Sequence, residues 1–600
     1  MQFVAARRDR LVTVAVAAVT LLALALRVTR LGRVPEDEFY DAAVRSMTLS
    51  LHNFLYGALD PGASLAIDKP PLDLWLQVIS VKLLGFGPTA LKLPEALGGT
   101  AAVPLLYDTV RRVAGRLAGL GSALVLAILP LSVVSSRSDT MDSLMGAMLV
   151  ATAWLLVIAV TRRRLGWLLG AGVMLGLAFN VKLFEALVPL PAFALFYWLA
   201  TRERRLRRLA LAAVVFAAVA CVWLVFVSLT PSHDRPWPVG STNGSIWNAV
   251  FVYNGIDRVT GLATSPLLVH AAGSLLVSAV LSPAGPLRLF AHNEIDYGGL
   301  IGTALFAAIV LGLAALAPRR WPARRVERGA LAGLAVWLGL GYVLFSFSSR
   351  THPRYLEAFT PAVAATLGVA FVVLARRAAR SRAWALALPG LMLVCVIESA
   401  AGSGRIARAG IYVVVLACVA LAVGAVALAQ RRAQHLPRWC TAPTVATALL
   451  VAVLALVLLD DDLRVIRDDS TVQAAEVTVA PGLVNALSVF LESHQDGARY
   501  EAAVSAPTLA APLIAKDARP VLMLTSLDAR PLVTLAQLRR DAAQGAVRYV
   551  FTEGICPGRS YATLPACSAA DEWVRAHATD VTAKLGLPTK DGLLYQLPDS

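Results

Sequence analysis

Apolar runs of about 20 residues recur along most of the chain, parted by short polar breaks, and each is long enough to cross about 30 Å of hydrocarbon. They fall near 11–29, 91–110, 116–134, 141–160, 165–180, 183–200, 208–229, 300–317, 329–347, 355–375, 383–399, 408–429 and 441–460. One set of breaks is rich in arginine: Arg7–Arg10, Arg111–Arg116, Arg162–Arg164, Arg202–Arg208, Arg319–Arg328, Arg376–Arg382 and Arg431–Arg438. Lys and Arg collect in cytoplasmic loops, so holding these clusters inside predicts an α-helical, polytopic membrane protein with about 13 transmembrane helices. The first run follows Arg7, Arg8 and Arg10 as a signal peptide would, but no small-residue cleavage site follows it, and it reads as an uncleaved first helix. The run 265–283 is also apolar; as a span it would carry Arg319–Arg328 outside, so it reads as an interfacial or re-entrant helix.

An odd number of spans places the polar end outside the cytoplasm and divides the chain into a transmembrane region, 1–460, and an extracytoplasmic region, 461–600. In the latter, apolar runs such as Arg519–Leu524 and Val547–Thr552 alternate with helical stretches such as Leu535–Ala543, the pattern of a small α/β domain. Cys556 and Cys567 both lie there, on the oxidising side, and predict a disulfide. The other four cysteines lie in or beside spans as packing residues.

Composition agrees with the membrane reading. Apolar residues make up 57% of the 600 residues and charged ones 16%, against about 25% in a soluble domain. The net charge of +16 would suit a nucleic-acid binder, but about half of the Lys and Arg sit in the arginine-rich breaks, where topology accounts for them. No nucleic-acid partner is expected. The partner is the lipid bilayer of the plasma membrane.

The remaining breaks fall on the opposite side and carry mixed chemistry. They are Glu36-Asp37-Glu38-Phe39-Tyr40-Asp41, Asp68-Lys69-Pro70-Pro71, Ser135–Asp142, Asn180-Val181-Lys182, the long loop 230–298 and Ser348–Tyr355. Ionisable residues at membrane depth are expensive and point to function. Their concentration on one side implies an outward-facing site with loops 30–90 and 230–298 around it. Lys and Arg there would neutralise a phosphate, and a carboxylate would take a proton from a hydroxyl. No nucleotide pool exists outside, so an activated sugar must arrive on a lipid phosphate. A transporter or lipid flippase is the competing class; it predicts internal repeats with broken helices at the midplane, and the sequence shows no repeat.

These stretches resemble a known family. Glu38-Phe39-Tyr40 with Arg45-Ser46-Met47, His52-Asn53-Phe54, Asp60-Pro61, Asp68-Lys69-Pro70-Pro71, Arg137-Ser138, Asp142-Ser143, Asn180 with Lys182, Val239–Ser245, Tyr253-Asn254-Gly255, Gly285–Phe290, His352-Pro353 with Tyr355, and Arg519–Leu522 carry the likeness. The chain resembles the GT-C glycosyltransferases that use polyprenyl-phosphate sugars, the group of the protein O-mannosyltransferases and the lipid A aminoarabinose transferase. It is most similar to the bacterial YkcB-like branch.

The resemblance implies the GT-C fold, a polyprenyl-phosphate-linked sugar as donor, and an extracytoplasmic acceptor: a cell-envelope glycan, a lipid or, as in the protein O-mannosyltransferases, a protein. It also implies a catalytic acid in the first outer loop. By the YkcB-like pattern this is Glu38 with Asp37 beside it; by the aminoarabinose-transferase pattern it is Glu36 and Asp37. Lys69 and Lys182 match basic positions that contact the carrier phosphate, and Arg137 and Arg354 join them on electrostatic grounds. Tyr40, Asp68, Asp142, Asn243, Tyr253, Asn254, His352 and Tyr355 complete the expected substrate-binding set. Asp68 with His352 or His233 could supply ligands to a divalent metal ion, although their spacing does not define a site.

Overall fold

The computed structural model describes residues 2–257, 284–289, 300–316, 324–348, 352–378, scattered positions between 390 and 398, and 442–470, 479–526, 530–552, 567–586 and 592–598. In chain order the helices begin with α1 (Gln2–Val28), α2 (Glu38–Met47), α3 (Leu51–Tyr56) and α4 (Leu72–Leu84). Then come α5 (Pro88–Ala114), α6 (Arg116–Ala127), α7 (Pro130–Ser135), α8 (Asp142–Arg162), α9 (Leu165–Lys182), α10 (Leu190–Ala200) and α11 (Arg205–Leu229). The series continues through α12 (Ile301–Leu316), α13 (Arg325–Phe347), α14 (Thr360–Ala378), α15 (Ala442–Arg467), α16 (Pro481–His494), α17 (Pro507–Asp517), α18 (Leu535–Ala543) and α19 (Ala569–His577).

Among the described residues, six helical segments are long and apolar enough to cross a membrane: 9–33, 142–162, 165–187, 205–229, 325–347 and 353–377. The protein is a multi-pass membrane protein. Helices α6, α10 and α12 are apolar but shorter. The expected span 116–134 breaks because Pro130 begins a separate short helix and has no amide hydrogen with which to extend α6. The runs 265–283 and 408–429 lie outside the described residues.

The chain folds as two compact units. The first holds 1–35, 92–220 and 282–472; the second holds 36–91, 221–281 and 473–600. Within the first, helices approach through small residues, as lipid-embedded helices do where van der Waals contact replaces hydrophobic drive. An added Cβ on Gly368 of α14 would lie 2.2 Å from Ser122 Oγ of α6, and one on Gly172 of α9 would lie 2.6 Å from the Ala212 carbonyl of α11.

The second unit is built on strand pairing between distant segments. Strands β1 (Leu65–Ala66) and β2 (Trp237–Pro238) run parallel, with Leu65 opposite Trp237. This ladder ties the segment before Asp68 to the loop after α11. A five-stranded sheet of order β4-β3-β5-β7-β6 follows, from β3 (Ala503–Val504), β4 (Leu522–Met523), β5 (Tyr549–Phe551), β6 (Thr579–Asp580) and β7 (Leu594–Gln596). β4, β3 and β5 are parallel, whereas β7 pairs antiparallel with β5 and β6. Leu522, Leu524, Leu538, Val550 and Val574 are buried together between this sheet and helices α18 and α19. Helix α17, which follows β3, packs against α2. Cys567 is disulfide-bonded, and its expected partner Cys556 lies outside the described residues.

Candidate functional site

Helix α2 begins where the acidic run ends, and its first turn separates the three acids. Asp37 is the N-cap: its side chain accepts the Phe39 amide hydrogen at 3.2 Å, satisfying one of the donors a helix start leaves open. Glu38 is the first helical residue and is half-buried. Burial, reinforced by the neighbouring Glu36 carboxylate, pushes its carboxyl up to about 7. A carboxylate poised near neutrality is what general-base chemistry at physiological pH requires.

Behind α2, the β1 strand delivers Asp68 and Lys69. The Lys69 ammonium donates to the Tyr40 hydroxyl at 2.8 Å and lies 3.2 Å from Asp68 Oδ1. Both are nearly enclosed, Lys69 8% and Asp68 6% exposed. Pro70 and Pro71 then fix the backbone before α4. The loop after α11 closes on the same point. Residues 248–256 wind as a π-helix, and Asn254 in it donates from Nδ2 to the Asp68 carbonyl at 2.9 Å. Tyr253 lies over Gly240, where an added Cβ would stand 2.3 Å from the ring and where φ is +78°. Thus Glu38, Tyr40, Asp68, Lys69, Tyr253 and Asn254 all belong to the second unit. Asn243 belongs to it too, on an exposed turn where its Oδ1 accepts the Ser245 amide at 3.0 Å.

The other expected residues form a cluster of their own in the first unit. Lys182 is buried in an ion pair with Asp142, the first residue of α8. Its ammonium stands 4.6 Å from the centre of the Tyr355 ring, and His352 meets the same ring edge-on at 5.0 Å. Leu183, next to the lysine, has φ +40°, a region that bulky residues avoid unless the surroundings impose it. Arg354 is buried nearby in sequence. Arg137 is fully buried, and its Nη1 donates to the carbonyls of Leu26 (3.1 Å), Arg27 (3.5 Å) and Thr29 (2.5 Å) at the end of α1. Part of its guanidinium is therefore given to closing a helix.

Sequence reasoning missed Arg27 and Glu357. Arg27 donates to Ser136 Oγ (3.1 Å), Ser132 Oγ (3.3 Å) and the carbonyls of Ala23, Leu126 and Ala127. Ser132 in turn donates to Glu357 Oε1 at 3.1 Å. Arg27 stands at the end of an apolar run and reads as a boundary marker there. Glu357 lies within the apolar run that opens at 355, and an acid at membrane depth is the signal that marks it.

No metal centre is formed by the described residues, among which no three His, Cys, Asp or Glu side chains gather as ligands. Asp68 Oδ1 faces Lys69, and the exposed His233 lies beside Asp234 at 3.2 Å. This donor set does not fit a divalent ion.

Comparison with known proteins bears on the fold. Residues 68–228 match the family model "Dolichyl-phosphate-mannose-protein mannosyltransferase", and residues 487–577 match "Putative mannosyltransferase YkcB-like, C-terminal". Two curated proteins of Bacillus subtilis (strain 168) are similar. "Putative mannosyltransferase YycA" is 36% identical over 246 residues, 40% of this chain and 36% of that protein. "Putative mannosyltransferase YkcB" is 36% identical over 228 residues, 38% of this chain and 32% of that protein. The matched stretch therefore spans about a third of either relative. The crystal structure of ArnT from Cupriavidus metallidurans bound to undecaprenyl phosphate superposes with TM-score 0.52 at 18% identity, covering 98% of this chain and 97% of that one. The chain has the GT-C fold.

Proposed function

We propose that this chain, a GT-C protein of the YkcB-like branch, is a membrane glycosyltransferase that moves a sugar from a polyprenyl phosphate to an extracytoplasmic acceptor hydroxyl. The observation that carries the reading is that the second unit holds both a half-buried Glu38, shifted to about 7, and an enclosed Lys69 bonded to Tyr40, two residues after Glu38 on α2. Such a pair supplies a base and a cation, the two groups this transfer needs. Glu38 takes the proton from the acceptor hydroxyl as its oxygen attacks C1 of the sugar. The C1–O bond to the carrier breaks on the opposite face, the electron pair leaves with the polyprenyl phosphate, and the anomeric centre inverts.

Lys69 faces the departing phosphate and stabilises its growing charge. Asp68 and Tyr40 hold that ammonium, and Asn254 holds the Asp68 backbone. Lys182, with Arg354 and Arg137, takes the carrier-phosphate role that the resemblance gives it; Asp142, His352 and Tyr355 orient the lysine. Asn243 and Tyr253 are assigned to substrate. The region 461–600 is placed outside the cytoplasm because every arginine-rich break then lies inside.

The test is donor consumption by purified protein across a panel of polyprenyl-phosphate hexoses and pentoses. Mannose is the first sugar to try, since the similar curated proteins carry mannosyltransferase in their names. Release of free carrier phosphate from one donor is the expected result. Inertness toward the whole panel would overturn the reading.

A further inference from the structure

We propose that a cavity in the 36–91, 221–281 and 473–600 unit binds the acceptor, and that this acceptor is an acidic glycan bearing phosphate or carboxylate groups. The cavity has a volume of about 570 Å³. That falls within the range of sites that enclose a drug-sized ligand, and it is far more than a lone anion needs. One wall is the β1–β2 ladder with Asp60, Arg235, Trp237 and Asn243; the other comes from the sheet region, with Arg499 and Tyr500.

Its charge is one-sided because of how each group is held. Arg235 is tethered by its Nε to the Thr230 carbonyl (3.2 Å) and by Nη1 to the Gly244 carbonyl (2.8 Å). The Arg499 guanidinium lies 5.1 Å from the centre of the Tyr500 ring, and Arg530 lies 4.6 Å from that of Trp237. Guanidinium groups resting on aromatic faces are already ordered, so less freedom is lost when an anion arrives. Asp60 is the one carboxylate lining the cavity among the described residues, and it is consumed locally. It accepts from the Ser64 amide (2.9 Å), the Ser64 hydroxyl (2.9 Å) and the Leu65 amide (2.8 Å). Arg235 and Arg499 thus line the space and Arg530 rests on the ring of the wall residue Trp237, against the one acid Asp60, whose oxygens are turned to the neighbouring backbone.

The remaining polar groups are of the kind that hydrogen-bond sugar hydroxyls, the amides of Asn243 and Gln537. The strand that forms the wall also leads to the chemistry: β1 ends at Ala66, two residues before Asp68 and Lys69. A ligand held against β1 lies along the segment that positions the proposed phosphate cation. The acceptor role rests on the glycosyltransferase reading, whereas the binding of an acidic glycan does not.

The experiment measures binding alone, by calorimetry on the full chain in lipid nanodiscs, with a heparin-derived tetrasaccharide, tri-galacturonic acid and neutral maltotriose. Saturable binding of an acidic saccharide is expected, with maltotriose weaker by about tenfold or more. Arg499→Gln and Arg530→Gln, both at exposed positions, should each weaken it by about tenfold. Their thermal midpoint and their hydrolysis of donor in the absence of acceptor should not change. Failure of both acidic saccharides to saturate, equal affinity for maltotriose, indifference to both substitutions, or tighter binding of a poly-glutamate peptide would each overturn the proposal. Glycan binding by a protein that consumes no donor would leave this inference standing and remove the proposed function instead.

Discussion

In the helical unit the Arg27 guanidinium is wholly enclosed and every hydrogen bond it makes ends inside the fold, on serine hydroxyls and the carbonyls of α1 and α6. In the other unit Glu38 sits half-open at the start of α2, with its ionisation held near neutrality. Both are charged groups taken partly out of water, yet they are treated in opposite ways. Burying a charge is tolerable when hydrogen bonds replace its hydration, and Arg27 has them. Glu38 has few, and so keeps a proton that an exposed carboxylate would have lost. A fully partnered buried charge belongs to the architecture; an underpartnered one beside open space is available for chemistry.

The strongest way to break this contrast is Glu38→Gln. The amide keeps the shape and cannot accept a proton, so transfer should fall by about 10²–10⁴-fold while donor binding persists. A raised carboxyl is neutral below its pKa and a base above it. Transfer by the parent should therefore rise as pH increases through about 7, and this inflection should vanish in the variant. A Glu38→Gln enzyme with parental rate and parental pH profile would return the base to Glu36 or to another loop.

Arg27→Ala tests the other side. It takes a donor from Ser132, Ser136 and the carbonyls of Leu126 and Ala127 and leaves Glu357 without its nearby cation, a loss of about 3–5 kcal/mol by analogy with broken buried ion pairs. The thermal midpoint should drop sharply, and the fraction that remains folded should turn over at the parental rate. A stable variant with impaired transfer would move Arg27 from the scaffold to the site.

Much of this arrangement was legible in the residue order, but unevenly. The helix expected at Leu535–Ala543 forms with those bounds, and the runs Arg519–Leu524 and Val547–Thr552 contain β4 and β5. Apolar periodicity and apolar length are local signals, and these elements are local. What could not be read was contact between distant segments: β1 with β2, α17 against α2, and the meeting of Arg27 with Ser132 and Ser136 more than 100 positions away. Arg137 adds another contact of this kind: its Nη1 donates to the last carbonyls of α1, more than 100 positions away.

Lys69→Ala should act on turnover more than on donor affinity. Charge on the carrier phosphate grows as the C1–O bond breaks, so the cation is worth most at that moment. Losing one preorganised group at such a point costs about 10²-fold in kcat. The Tyr40 hydroxyl loses its donor, and Asp68 loses its ion partner, so a modest fall in stability accompanies it. Lys69→Arg keeps the charge on a longer fork and should recover part of the rate. A variant that lost affinity alone would place the lysine in ground-state binding only.

The smallest effect is expected at Asp37, and it sharpens the distinction between neighbours. Asp37 and Glu38 are adjacent carboxylates on the same acidic run, so sequence cannot separate them. The structure gives them different work: the Asp37 side chain accepts the Phe39 amide and caps α2, and Glu38 is the first residue of the helix it caps. Asn and Asp are about equally good N-caps because either offers a side-chain oxygen to the same amide. Asp37→Asn should therefore leave the thermal midpoint within experimental error and reduce transfer by less than about threefold. Asp37→Ala removes the oxygen and should cost about 1 kcal/mol of stability, with turnover again mostly retained. A loss of about 10²-fold or more in Asp37→Asn, with the cap preserved, could come only from the lost proton acceptor. That result would exchange the roles of the two acids, making Asp37 the base and Glu38 a neighbour that tunes it.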